Sequence, residues 1–452
     1  MVKLWSHQTD MVDFARSRSK SLLYSDMATG KTLVGLEWLN ALSGLFLIIT
    51  PKAALPVWEE DWRNLLDGAR FDITTLDTGS SKSKAKIIED EVRHPGSRAF
   101  VVNYETAWRL PLSRYKWAAV VADEVHKVGT YNSKQTIELT RLLSDVPNKL
   151  GLTGTPYHDG YESLYGITRF LDPIIPPNTR AHPVSPLFGK YDDFLDEFCH
   201  TYNHSPGVRF ISGYKHLARL SEIIKPMTMR VKISDVHDMP PEVNTKHFAP
   251  LTGEVKKAYR DLKKDNVVEV NDLTIVQQHV LPKIGRLQML ANSGTIRHLD
   301  QEIVLSGLQK RVDVLTGFLK QIGPDEPVVI FTKWRADVDL IRKAVNEPVH
   351  LLTGDIDNHQ DWRGGAGRIL IANLDAGSEG VRLERAHHAI FWSPGFSLRT
   401  YMQARSRIAR PTQKAPTVFF HHILSADTID VDVYNVLARK TKNLQALDER
   451  IE

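Results

Sequence analysis

Three short groups of residues have the types and spacing for phosphate chemistry. The first is Gly30-Lys31-Thr32, where the apolar run SLLYSD (residues 21–26) gives way to the helical pattern LVGLEWLNAL. A strand, a glycine turn and a helix in that order offer backbone N–H groups, a lysine charge and a helix N-terminus to β- and γ-phosphates, with the Thr32 hydroxyl left for Mg2+. The full glycine-loop spacing is not met, because Ser25 stands where its first glycine would be. The second group is Asp123-Glu124-Val125-His126, directly after the apolar run AAVVA. A carboxylate at the carboxyl end of a buried strand can hold Mg2+, and a second acid beside it can orient or deprotonate an attacking water. A single acid there would read as an ordinary polar strand end; two acids and a histidine point to chemistry. The third group is Gln403, Arg407 and Arg410 in QARSRIAR. Helical spacing predicts Arg407 and Arg410 on one helix face, as guanidinium forks that can clamp a phosphoryl group. Alone, such a pair reads as a solvated basic face, and it is the other two groups that change the reading.

Groups of this kind need rigid strands behind them, and the sequence supplies two sets. Short runs rich in Val, Ile and Phe alternate with longer helical patterns, as buried parallel strands do in α/β units. One set runs from SLLYSD to KLGLTGT (149–155), the other from PVVIFT (327–332) to TVFFHHIL (417–424). We therefore expect an α/β protein with two parallel-sheet lobes. The first spans 1–238 and includes a mostly helical, proline-rich insertion at 157–228, followed by one more strand in MTMRVKIS (227–234). A helical linker region at 239–305 and a second lobe at 306–452 complete the chain.

The 452 residues allow roughly three domain-sized units at about 150 residues each. Fifty-eight Lys and Arg against 54 Asp and Glu give a net charge of +4, too balanced to argue for nucleic acid by itself. The single cysteine, Cys199, excludes an intramolecular disulfide and a thiolate zinc site and reads as a small buried side chain. Apolar runs such as LFLII are far too short to cross a bilayer, and the N-terminus has no signal-peptide pattern, so a soluble, cytoplasmic protein is expected.

Taken in order along the chain, these motifs resemble those of superfamily-two helicases, and within them the SWI/SNF-type translocases of double-stranded DNA. LWSHQ resembles the adenine-reading motif, MATGKT motif I, IITPKAALPVWEEDW motif Ia and NYET motif Ib. DEVH resembles motif II, GLTGTP motif III, VVIFTKW motif IV, ANLDAGSEGVRL motif V and QARSRIARPTQ motif VI. The segments YESLYGITRFLDP, MTMRVKISDVHDMPPE and LTGEVKKAYRDL are similar to the middle region of SWI/SNF-type motors, including the annealing-helicase branch. The tail ILSADTIDVDVYNVLARK is similar to their bracing helix. Thr153-Gly154-Thr155 departs from the Ser-Ala-Thr of DEAD-box helicases. Ala28, Val125 and Ala409 replace residues usual in motifs I, II and VI, which predicts altered kinetics with the charged groups kept.

The resemblance implies two RecA-like lobes in tandem with an ATP site between them. Catalysis would fall to Lys31, Asp123, Glu124, Arg407 and Arg410. Gln8, Thr29, Gly30, Lys31, Thr32, Gly377, Gly380 and Gln403 would bind ATP, and Thr32 and Asp123 would hold Mg2+. Lys52, Thr106, Lys333, Trp334 and Ser378 would face DNA, double-stranded or branched, gripping its phosphates with little base readout. A monomeric motor with no membrane partner is implied, and the compact length, with no accessory module expected, fits a phage or mobile-element enzyme. Two other readings compete with tracking along a duplex. One is a strand-separating or branch-migrating helicase; the other is a nucleic-acid-binding module that no longer hydrolyses ATP, against which the full set of charged residues argues.

Overall fold

The computed structural model describes residues 4–451 apart from 67, 155–156, 158–159, 178–180, 206–207, 266, 271–272, 277–279, 299–300 and 378–380. The chain divides into two compact units, Met1–His237 with Lys442–Glu452, and Asp238–Thr441. Among the described residues, no helix is long and apolar enough to cross a membrane.

The first unit contains β1 (Lys20–Ser25), β2 (Leu45–Thr50), β3 (Phe71–Thr75), β4 (Ser97–Asn103), β5 (Trp117–Asp123), β6 (Asn148–Thr153), a hairpin of β7 (Cys199–Ser205) and β8 (Val208–Tyr214), and β9 (Thr228–Val231). Outside the hairpin they form one sheet in the order β3-β4-β2-β5-β6-β1-β9, parallel throughout. Alternate residues of β2 divide between two cores: Leu47 and Ile49 pack on one face, Phe46 and Ile48 on the other. That is why these strands read as continuous apolar runs, since helices cover both faces. Because all seven strands point the same way, Ser25, Thr50, Asp123 and Thr153 end on one edge of the sheet, where open α/β sheets bind ligands.

The second unit repeats the plan. It holds β10 (Glu242–Ala249), hairpins of β11 (Val267–Val270) with β12 (Leu273–Val276) and of β13 (Thr295–His298) with β14 (Gln301–Val304), then β15 (Val328–Thr332), β16 (Val349–Leu352), β17 (Ile369–Asn373), β18 (His388–Phe391) and β19 (Val418–Ser425). Six of these make a parallel sheet, β10-β19-β18-β15-β17-β16. Val329 and Phe331 of β15 pack on one face, Val328 and Ile330 on the other.

The strand expected in MTMRVKIS is present as β9, paired with β1. Two helical expectations need correction. The 157–228 insertion has helices at Ser163–Leu171, Tyr191–Phe198 and Leu217–Ile224, but also the antiparallel β7–β8 hairpin. The 239–305 segment, expected as a helical linker, lies in the second unit and opens with β10, whose eight residues pair with β19. Glu242, Val243 and Asn244 at the start of β10 are exposed, as on a sheet edge, so no apolar run marks it. Cys199 is buried and free, and burial pushes its thiol up to about 12, so it stays protonated and inert.

Candidate active site

The loop after β1 turns sharply into the helix Lys31–Asn40. Gly30 caps that helix at φ 80°, a left-handed conformation, and a Cβ there would overlap the Gln8 amide, so only glycine fits. Ala28 also lies in the left-handed region, at φ 66°. The loop is tied down by its own residues. Thr29 donates to the Asp26 carbonyl (2.8 Å) and to Ser25 Oγ (3.1 Å), and its own carbonyl lies 3.2 Å from Gln8 Nε2 and 3.1 Å from His7 Nε2. The other end of the Gln8 amide accepts from the Trp5 N–H at 2.9 Å. Lys31 Nζ turns back to the Ser25 and Asp26 carbonyls, at 2.7 and 2.9 Å. Burial lowers the Lys31 pKa, and the charges of Glu124, Asp123 and Asp26 oppose that shift. Thr32 is the second residue of the helix.

Two strands away in the sheet, β5 ends on Asp123. Its Oδ2 accepts from Thr50 Oγ1 at 2.8 Å and from the indole N–H of the fully buried Trp58 at 3.2 Å, while Tyr104 donates to its carbonyl at 2.8 Å. Burial and the adjacent Glu124 charge raise the Asp123 pKa to about 6, against the two hydrogen bonds and Lys31. Glu124 is left-handed at φ 50°. Thr153, the last residue of β6, donates to Glu124 Oε2 at 3.4 Å. His126 Nδ1 lies 3.0 Å from Thr153 Oγ1 and 3.1 Å from Glu124 Oε2. Motifs II and III thus meet in one Glu-His-Thr triangle. Lys52 is exposed at the start of the short helix Lys52–Ala54, and Thr106 is half-buried in Tyr104–Ala107.

In the second unit, Gln403 is buried on the helix Leu398–Ser406. The expectation that Arg407 and Arg410 share a helix face is corrected: the helix ends at Ser406, Arg407 is its cap, and Arg410 lies in the bend beyond. Arg407 accepts the Leu383 N–H at its carbonyl (3.1 Å), which draws the chain out of the helix toward motif V. Arg410 Nη1 is 4.0 Å from Glu384 Oε2, and burial lowers its pKa. The helical arginine of the group is Arg405, bonded to Asn244 at 2.6 Å, to Tyr401 at 2.8 Å and to Glu242, so it fastens the helix to β10. Lys333 Nζ reaches Gln288 Oε1 at 3.3 Å and lies 4.8 Å from the Trp334 ring. The buried Trp334 indole N–H has no hydrogen-bond partner among the described residues. Gly377 ends the short helix Leu374–Gly377, and Ser378 and Gly380 fall outside the described residues.

Residues 7–295 match the SNF2-related domain family, and residues 310–412 match the helicase conserved C-terminal domain. The chain belongs to the SNF2-related family. That family is one of DNA-dependent ATPases of the helicase and translocase class. The SNF2-related chain is 22% identical to protein p41 of Acyrthosiphon pisum secondary endosymbiont phage 1, over 91% of its own length and 90% of that protein's. It is 23% identical to the human SWI/SNF-related matrix-associated actin-dependent regulator of chromatin subfamily A member 1, over 90% of its own length but only 40% of that protein's. Among solved structures, the Sulfolobus solfataricus SWI2/SNF2 ATPase core in complex with dsDNA is similar over 99% of this chain and 93% of that one, at 18% identity and a TM-score of 0.42.

Sequence reasoning named His126 beside the two acids without giving it a role, and left Thr50, Trp58, Tyr104, Thr153 and Asp26 out of the site. Trp58 lies within the motif Ia resemblance and His126 and Thr153 within II and III, so the motifs held the signal. What they could not give was the side-chain contact.

Proposed function

We propose that this SNF2-related chain hydrolyses ATP and couples the hydrolysis to movement along double-stranded DNA without full strand separation. The observation that carries the proposal is the convergence of Lys31, Asp123 and Glu124 at the carboxyl edge of one parallel sheet, in a chain of this family. Lys31 and the N–H groups opening the helix Lys31–Asn40 would hold the β- and γ-phosphates, with Gln8, Thr29 and Gly30 shaping the loop around them. The hydroxyl of Thr32 and the carboxylate of Asp123 are hard oxygen donors, which suits Mg2+. When bound, Mg2+ supplies charge neutralisation for the phosphates. Glu124, held by Thr153 and His126, would orient the attacking water and take its proton on the carboxylate. Arg407 and Arg410 would contribute guanidinium charge to the transferring phosphoryl group, while Gln403, Gly377 and Gly380 would assist nucleotide binding. Lys52, Thr106, Lys333, Trp334 and Ser378 would grip DNA phosphates.

The test is ATPase activity with duplex, single-stranded, forked and four-way DNA side by side. Duplex DNA should stimulate hydrolysis, and Lys31→Ala should abolish it. Stimulation by single strands alone would overturn the proposal. Release of strands from a fork at low enzyme excess would instead identify a strand-separating helicase.

A further inference from the structure

Asp26, where the phosphate loop leaves β1, is gripped from a strand about two hundred residues further along the chain. Arg230 of β9 donates through Nη2 to Asp26 Oδ1 at 2.7 Å and through Nη1 to the Val231 carbonyl at 2.6 Å. Its guanidinium lies 4.0 Å from the centre of the Tyr24 ring, and its side chain is only 6% exposed. The second Asp26 oxygen accepts the Ile233 N–H at 3.0 Å, and the Asp26 N–H donates to the Val231 carbonyl at 3.0 Å. The remaining polar group, the Asp26 carbonyl, faces inward and receives both Thr29 Oγ1 and Lys31 Nζ. One residue therefore links the β9 arginine to the lysine of the phosphate loop.

We propose that Arg230 is a positioning residue for ATP binding, which sets the phosphate loop and Lys31 in their binding geometry through the Asp26 carboxylate. The inference rests on the reading of that loop as the ATP site. Two physical arguments support it. A half-buried ion pair is a poor device for stability alone, because desolvating the guanidinium offsets much of its attraction to a carboxylate that is 31% exposed; what the pair supplies is direction. The loop also holds a non-glycine residue, Ala28, in the left-handed region, and such strain persists only where surrounding contacts over-determine the backbone. Arg230 on Asp26 and the His7 and Gln8 side chains on Thr29 are the two clamps on either side of Ala28.

The test measures KM and kcat for ATP in the full chain for Arg230→Ala, Asp26→Ala, the double variant and Arg230→Lys, with the thermal midpoint of each. Each alanine variant should raise KM about tenfold with kcat little changed. Because both act through one contact, the double variant should also stand near tenfold, and Arg230→Lys should recover most of the loss. Effects that multiply to about a hundredfold in the double variant would overturn the proposal. So would a KM equal to wild type beside a lowered thermal midpoint. Should alanine at either position unfold the chain, Arg230→Gln and Asp26→Asn carry the same comparison. Lys31→Ala separates the two readings: if it hydrolyses ATP normally, the ATP site is misassigned, whereas if it is inactive and Arg230→Ala has an unchanged KM, only the positioning role fails.

Discussion

Burial and the neighbouring Glu124 charge both push the Asp123 carboxylate toward its neutral form, and the hydrogen bonds from Thr50 and Trp58 hold it toward the charged one. Hydrogen bonds to a charged group contribute about 1.5–3 kcal/mol each. Trp58→Phe removes the donor together with the outer indole edge that packs on Gly35, so kcat should fall about tenfold or more and the thermal midpoint should drop, as steady-state kinetics and circular dichroism melts would show. Ala28 gives a prediction of opposite sign. An L-residue in the left-handed region costs roughly 1–2 kcal/mol, so Ala28→Gly should raise the denaturation midpoint by about 1 kcal/mol of stability, and an unchanged midpoint would mean the loop carries no such strain. Asp123 and Glu124 were legible in the sequence because acids at the end of an apolar run are conspicuous, and Lys31 because Gly-Lys-Thr stands between a strand pattern and a helix pattern. Thr50 and Trp58 were not, because a hydroxyl at a strand end and a tryptophan among apolar residues look like packing until the contact is seen.

At the scale of elements, the edge pairing of β10 with β19 in the second unit carries a ladder of buried imidazoles. His421 Nδ1 lies 2.7 Å from Thr245 Oγ1 and its Nε2 3.1 Å from His388 Nδ1, while His422 Nε2 lies 2.9 Å from the Tyr401 hydroxyl. His247, Phe318, Lys246 and Arg405 complete the surroundings. Burial, and then neighbouring positive groups, lower His421 and His422 to about 3, so both are neutral in the folded chain. Unfolding restores an ordinary value near 6.5, so the unfolded state takes up protons first as the pH falls. The contribution of these two histidines to stability should therefore be constant above about pH 6.5 and decline below it, at roughly 1.4 kcal/mol per pH unit for each, while the raised Asp337 and Asp123 carboxyls act in the opposite sense over the same range. Thermal melts of the wild type and of His422→Gln across that range isolate the contribution as the difference between the two slopes; equal slopes would refute the assignment. The apolar half of this pairing was legible, since TVFFHHIL reads as a strand. Its partner was not, because an edge strand with one face in water needs no apolar run.

At the scale of the whole molecule, each buried cluster among the described residues lies within one unit. A fragment covering 238–441 should therefore fold by itself with one cooperative calorimetric transition, whereas one beginning at 306 loses β10 and with it the edge partner of β19, and should melt at lower temperature or fail to fold. Two lobes could be read from two sets of apolar runs. The extent of the second could not, because β10 is separated from the rest of its sheet by helices and two small hairpins. The pairing of β9 with β1 bears on the order in which the chain can be completed. Tyr24 faces Arg230 across that ladder, and closing so long a loop is slow. During synthesis the phosphate loop is made about two hundred residues before Arg230, so its Asp26 waits that long for its clamp. A ribosome-bound chain ending short of residue 230 would carry every residue of motifs I to III and still lack one of the two clamps on the first of them.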